Sequence, residues 1–185
     1  VLGSAGHGLA RLALRGRVGS GAVLLALVLA ACGPSSSSDL AEGSPLSGAR
    51  TSPEALAEAA LVALQQADTA SLRALLVSRD EYEQVLWPLL PDRDYVTFEF
   101  VWGMSAPRNR KALRNLLADY GTLELELVNV DLGTEIEEHD GLTLYREARM
   151  TVRRTDNGVE GMLPLMDAVV HIGGGWKFLN YRDDA

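Results

Sequence analysis

The sequence predicts an α+β fold, with helices early in the folded region and an antiparallel sheet of about four strands at its end. Three observations carry this. Apolar residues recur at helical spacing as far as Gly121, and from Thr122 onward they alternate at period two. The second region is also punctuated by the turn signals Asp140-Gly141, Asn157-Gly158 and Gly173-Gly174-Gly175. Helices first and strands last put the helices on one sheet, not between parallel strands.

The first element is "TSPEALAEAALVALQQAD". Ser52 is placed as an N-cap, Pro53 at the first helical position and Glu54 in the first turn, where an acid suits the helix dipole. Leu56, Ala60, Ala63, Leu64 and Ala67 form an alanine-rich apolar face that lets the helix lie close to a sheet. "TASLRALLV" predicts a short second helix bearing Leu72, Leu75 and Leu76. "SRDE" has the spacing of a capping box, Ser78 with Glu81, and opens a third helix that Pro88 and Pro91 stop. "DYVTFEFVWGM" supports two readings. Its alternation suits a strand, while Phe98, Val101 and Trp102 suit a helix face beginning after Asp94, and we read it as helix. In "RNRKALRNLLADYG", Ala112, Leu113, Leu116, Leu117 and Tyr120 make a stripe ended by Gly121.

The strand region begins with "TLELELVNVDL", Thr122 to Leu132, and continues with "LTLYREARMTVRR", "MLPLMDAVVHI" and "WKFLNY". Joined by turns, these read as a four-stranded meander. Pro164 marks an edge or a bulge, because it has no N–H for a ladder.

Ahead of the folded region runs "AVLLALVLAACGPSSSSD". The apolar core Val18 to Ala31 would make a helix of about 21 Å, short of the roughly 30 Å hydrocarbon core of a bilayer. It follows Arg11, Arg15 and Arg17 and ends in small residues, the layout of a signal peptide. Leu29-Ala30-Ala31-Cys32 resembles the lipobox of bacterial lipoproteins. That resemblance implies diacylglyceryl transfer to the Cys32 thiol and cleavage between Ala31 and Cys32, leaving an anchored chain. Gly33, in place of Asp, implies by resemblance to enterobacterial sorting the periplasmic side of an outer membrane. In a host with one membrane the place would be the outer face of the cell membrane. Residues 33–51, rich in Ser, Gly and Pro, read as a flexible tether with a reach of about 24 Å. The expected organisation is a signal peptide over 1–31, a lipidated cysteine and tether over 32–51, and one domain over 52–185.

Charge narrows the partners. The chain holds 17 basic and 25 acidic residues. Three of the basic ones lie in the segment expected to be removed, which leaves 14 against 25, a charge of −11. Such a body repels phosphate backbones, so no nucleic acid is expected. One cysteine permits neither an internal disulfide nor a cysteine metal cluster.

"ALQQADTASL" and the closing "GGGWKFLNY" resemble the nuclear transport factor two-like superfamily, also known as ketosteroid-isomerase-like. The resemblance implies a curved sheet folded around a helix-lined, cone-like pocket. Enzymes of the superfamily place Asp, His or Tyr in that cone, and many relatives keep the cone without catalysis.

Candidate chemistry is sparse. Asp167 and His171 share a strand and, being four apart, one face. At about 3.3 Å per residue they stand about 13 Å apart, too far for a direct hydrogen bond but able to flank a substrate. The plainer reading is one inward polar residue and one near the strand end. "DLGTEIEEHDG" gathers Asp131, Glu135, Glu137, Glu138 and Asp140, but its spacing misses the EF-hand loop, and a solvated hairpin loop is expected there. His139 lies in that loop. With His139, His171 and an acylated Cys32, zinc lacks ligands, and no metal or cofactor is expected. Arg108, Arg110, Lys111 and Arg114 form a basic cluster at a helix start, a surface for lipid headgroups or an acidic partner if not merely solvated. Trp87, Trp102 and Trp176 read as core residues or pocket lining. No phosphate loop or nucleophile elbow is present.

These readings converge on a lipid-anchored envelope protein. Its domain would bind an envelope protein or a small apolar ligand without catalysis. The alternative is a periplasmic isomerase, dehydratase or hydrolase-like enzyme that uses Asp167 and His171 across a cone-shaped pocket.

Overall fold

A computed structural model of the chain describes residues 40–182. The expected signal peptide, Ala31, Cys32 and the start of the tether lie outside the described residues.

The helices form where their local chemistry specifies them. Helix α1, Pro53–Gln65, starts at Ser52, whose hydroxyl accepts from the Ala55 N–H at 3.0 Å. In α2, Thr69–Ala74, the Asp68 carboxylate accepts from the N–H groups of Ala70 and Ser71. The capping box forms as expected. Ser78 Oγ accepts from the Glu81 N–H, and Glu81 Oε2 accepts from the Ser78 N–H, opening α3, Arg79–Glu81. A π-turn over Tyr82–Leu86 and 3-10 turns over Trp87–Leu89 and Pro91–Asp94 follow. Helix α4, Phe98–Tyr120, then runs unbroken through Pro107, capped by Thr97. The two stretches read as separate helices are therefore one. Arg108, Arg110, Lys111 and Arg114 lie within α4 and not in its first turn, so the dipole does not oppose them.

The sheet differs from expectation. The predicted curved, cone-like sheet of about four strands is overturned, because the described residues build seven strands in two open sheets. β1 (Leu125–Asp131), β4 (Arg149–Arg154) and β5 (Glu160–Leu163) form one, in the order β1-β4-β5. β2 (Ile136–His139), β3 (Leu142–Arg146), β6 (Met166–Ile172) and β7 (Gly175–Tyr181) form the other, in the order β2-β3-β6-β7. All pairs are antiparallel, and neither sheet curls round to pair its outer strands.

Two breaks cause the division. "LTLYREARMTVRR" stops at Glu147, whose φ of 65° is left-handed and outside any ladder, so β3 and β4 belong to different sheets. "MLPLMDAVVHI" stops at Pro164, which separates β5 from β6. The acidic stretch expected to be a hairpin loop supplies β2, and the Asp140-Gly141 turn joins it to β3.

Two apolar clusters fill the fold. Leu56, Leu64, Leu72, Leu116, Met150 and Phe178 belong to one, under α1, α2 and the C-terminal half of α4. Leu46, Tyr82, Leu86, Phe98, Leu144 and Val170 belong to the other. Val169 and Val170 are adjacent on β6 yet sit in different clusters, so the four-stranded sheet is covered on both faces.

Residues 40–50, expected to be tether, are packed on the fold. Leu46 and Ala49 are buried. Arg50 exchanges backbone hydrogen bonds with Trp176 of β7 at 3.0 and 2.8 Å. Further along the same edge, the Val77 N–H donates to Phe178 O, the Phe178 N–H to Leu75 O, and the Tyr181 N–H to Asn109 Oδ1. A strap, the chain after α2 and a side chain of α4 thus cover this edge strand, which would otherwise offer a template for aggregation.

Candidate functional site

The four-stranded sheet, the 82–94 segment and α4 enclose a groove of about 270 Å³. A smaller hollow of about 80 Å³ adjoins it, the two sharing Ser105 and Asn180. A larger cleft of about 390 Å³ runs beside α1, α2 and the strap and also carries charged residues, Arg50, Glu58 and Asp68, but the walls of the groove are the more polar and make it the better candidate.

Its floor comes from β3, which aims Arg146 at Glu137 of β2. The guanidinium meets the carboxylate through both Nε and Nη2, the second bond at 3.1 Å. Hydrogen bonding to Arg146 holds the Glu137 carboxyl below its ordinary value against the opposing effect of burial, and the Arg146 guanidinium is raised in return. Asp92 and Tyr82 come from the turns before α4. Burial, and then the Asp92 charge, push the Tyr82 phenol above its ordinary value, and Arg146 opposes this only in part. At neutral pH Tyr82 is therefore a hydrogen-bond donor and not a base. Behind it Tyr82, Trp87, Phe98 and Trp102 make an aromatic wall with ring centroids 5.9–6.3 Å apart.

Of the residues singled out in the sequence, Asp167 lines the smaller hollow with Arg108 and Asn109. Its Oδ1 lies 3.8 Å from Arg182 Nε. His171 does not line that hollow. It stacks on Trp176 with centroids 4.4 Å apart, and Trp176 stacks in turn on Tyr145, packed against the first cluster. The ladder of β6 with β7 is irregular from Met166 through Val169, so the period-two argument that put both residues on one face does not hold across it. Asp167 and His171 are not brought together. His139 stands at the end of β2, 3.6 Å from Glu137. Among the described residues no group of three or more His, Cys, Asp or Glu could hold a metal ion.

The most buried charge was not singled out. Lys177 Nζ lies 2.9 and 3.1 Å from the two oxygens of Glu81, and the Lys177 side chain is 3 % exposed. Glu81 also accepts from the Ser78 N–H and, at 2.6 Å, from the Ser47 N–H of the strap. Burial alone would raise this carboxyl, but the donors from Ser78, Lys177 and Ser47 outweigh it and hold it below its ordinary value. The capping box announced Glu81. Nothing local announced Lys177.

The arrangement can bind and orient hydrogen-bonding groups. Of its carboxylates, Glu137 and Asp167 each face an arginine and Asp92 is exposed, while the Ser105 hydroxyl donates to Val101 O and not to a base. No helix among the described residues is long and apolar enough to cross a membrane. Compared with known proteins, the chain matches no protein family, no characterised sequence and no solved structure.

Proposed function

We propose that this chain is a lipid-anchored cell-envelope protein whose domain is a non-catalytic binding module, with the groove between α4 and the four-stranded sheet as its site. The observation that carries the binding reading is the chemistry of that groove: Arg146, Glu137, Asp92, Tyr82, Ser105 and Asn180 converge, with Glu137 neutralised by Arg146 and Asp92 left exposed to a ligand. Such walls suit a small ligand with hydrogen-bonding groups better than the apolar one anticipated from the sequence. Lys177–Glu81 and the aromatic wall keep the site rigid.

The groove is tested by thermal shift of the full chain against small dicarboxylates, sugars and diamines. At least one class should raise the melting temperature, and Arg146→Ala should remove that rise. No shift from any class, or a shift that survives Arg146→Ala, would reject the groove.

The anchor reading rests on Leu29-Ala30-Ala31-Cys32 after its apolar run. Cys32→Ala should leave an uncut, unlipidated precursor, and fatty-acid label should disappear from the protein. Label retained by Cys32→Ala would refute the anchor.

A further inference from the structure

Helix α4 has one face that the fold leaves uncovered. At about 100° per residue, Phe100, Met104, Pro107, Lys111 and Arg114 fall within about 40° of one line, with Gly103, Arg108 and Arg110 within about 80°. All eight are exposed. The face is divided along its length. Its N-terminal half is apolar, with Phe100 57 % and Met104 45 % exposed, and Tyr95, 86 % exposed, stands just before the helix. Its C-terminal half is basic. Arg108, Arg110 and Arg114 have no carboxylate in ion-pair range among the described residues. Glu99, on the flank, is already paired with Arg79.

We propose that this face docks on an anionic phospholipid bilayer, with Phe100 and Met104 at the acyl boundary and Arg108, Arg110 and Arg114 on the headgroup phosphates. The charge pattern selects this occupant. In a chain of net charge −8, one helix face carries four cations and no acid, and it is continuous with an aromatic and thioether ridge. That combination marks helices that lie in an interface. Long arginine stems reach outward to phosphates while the apolar end enters. An extended polyanion such as a duplex would meet the acidic remainder of the body, and a second copy would present the same cations to these.

Chain length favours the same occupant. The described fold starts at Leu40, so seven residues separate it from Cys32, a contour of at most about 28 Å. This leash argument rests on the lipidation reading, whereas the charge pattern does not.

The test uses the full chain with Cys32→Ala, so that no lipid is attached, and a spin label at Met104→Cys. On vesicles of phosphatidylglycerol and phosphatidylcholine in a 3:7 ratio the label should lose mobility and become shielded from aqueous nickel chelate. On pure phosphatidylcholine it should stay accessible, as should a label at Glu58→Cys on either vesicle. Arg108→Gln with Arg110→Gln and Arg114→Gln should weaken docking about a hundredfold, from about 1 kcal/mol per cation lost at such a surface. A label equally accessible on both vesicles overturns the proposal, and so does equal shielding on both. Shielding that appears without vesicles as protein concentration rises would assign the face to a second copy, and stronger shielding by duplex DNA would assign it to nucleic acid. Because lipidation is absent throughout, failure here leaves the fatty-acid result for Cys32 standing, and the reverse holds too.

Discussion

Lys177→Ala lowers the free energy of unfolding at pH 7 by about 3–5 kcal/mol, the cost of removing one partner from a buried ion pair. The alternation in "GWKFLNY" would point Lys177 to solvent if the sheet had one bare face. Instead Leu46, Tyr82, Leu86 and Phe98 cover that face, and the ammonium is held against Glu81. Without it the carboxylate keeps the Ser78 and Ser47 N–H donors, which places the loss toward the lower end of the range. Lys177→Met combined with Glu81→Gln should recover most of it, since a neutral pair of similar volume leaves no buried charge. Denaturant unfolding of the two single variants and the double variant measures the coupling. A Lys177→Ala chain within 1 kcal/mol of the parent would mean the pair is open to water.

The same pair sets an acid response. The folded Glu81 carboxyl lies below its unfolded value, so its contribution is fully present above the ordinary glutamate range near about 4.3. That contribution disappears as pH falls through the folded value. The gap between the parent and Lys177→Ala should therefore be widest near neutrality and narrow only below the ordinary glutamate range, as pH falls through the folded value and Glu81 takes a proton in the parent too.

What the sequence disclosed follows from range. Ser52 and the Ser78–Glu81 box act within three residues, and both caps form. Asn157-Gly158 turns β4 into β5 because its preference is local too. The division into two sheets was hidden because Glu147, where the chain leaves one sheet for the other, carries neither Gly nor Pro to announce a break. Arg146 and Glu137 meet only once β2 exists, and the acid-rich "TEIEEHDG" reads as loop. The pairing of Asp167 with His171 was an inference from period two, which a ladder irregularity defeats. The strap was concealed by composition. Ser, Gly and Pro make residues 40–50 look like linker, while Leu46 and Ala49 supply the buried contacts that hold it.

Gly175→Ala should detach that strap. The glycine triplet has two causes, a left-handed turn at Gly173 and Gly174 and close packing against the strap, which at Gly175 acts alone. Gly173 and Gly174 have φ of 54° and 76°, left-handed values that turn β6 into β7. Gly175 has no such φ, but a Cβ there would stand 2.6 Å from Ser44 Cβ and 2.7 Å from Ala49 Cβ. Strand β7 cannot retreat, since its other side pairs with β6, so the strap must move. Overpacking of this kind costs about 1–3 kcal/mol. Moving the strap also strips the Ser44 hydroxyl from Ile172 O, the Ser47 N–H from Glu81 and the Arg50 bonds from Trp176. Hydrogen exchange at the Arg50 and Trp176 amides should rise at least tenfold, and a protease should begin to cut within residues 40–50. Gly174→Ala is the control. Nothing lies within 4 Å of its Cβ, so it strains the turn by about 1–2 kcal/mol while leaving the strap amides protected. If both variants leave those amides slow, the strap is not seated by the glycine. If only Gly175→Ala frees them, the missing side chain at 175 is what turns an apparent linker into part of the fold.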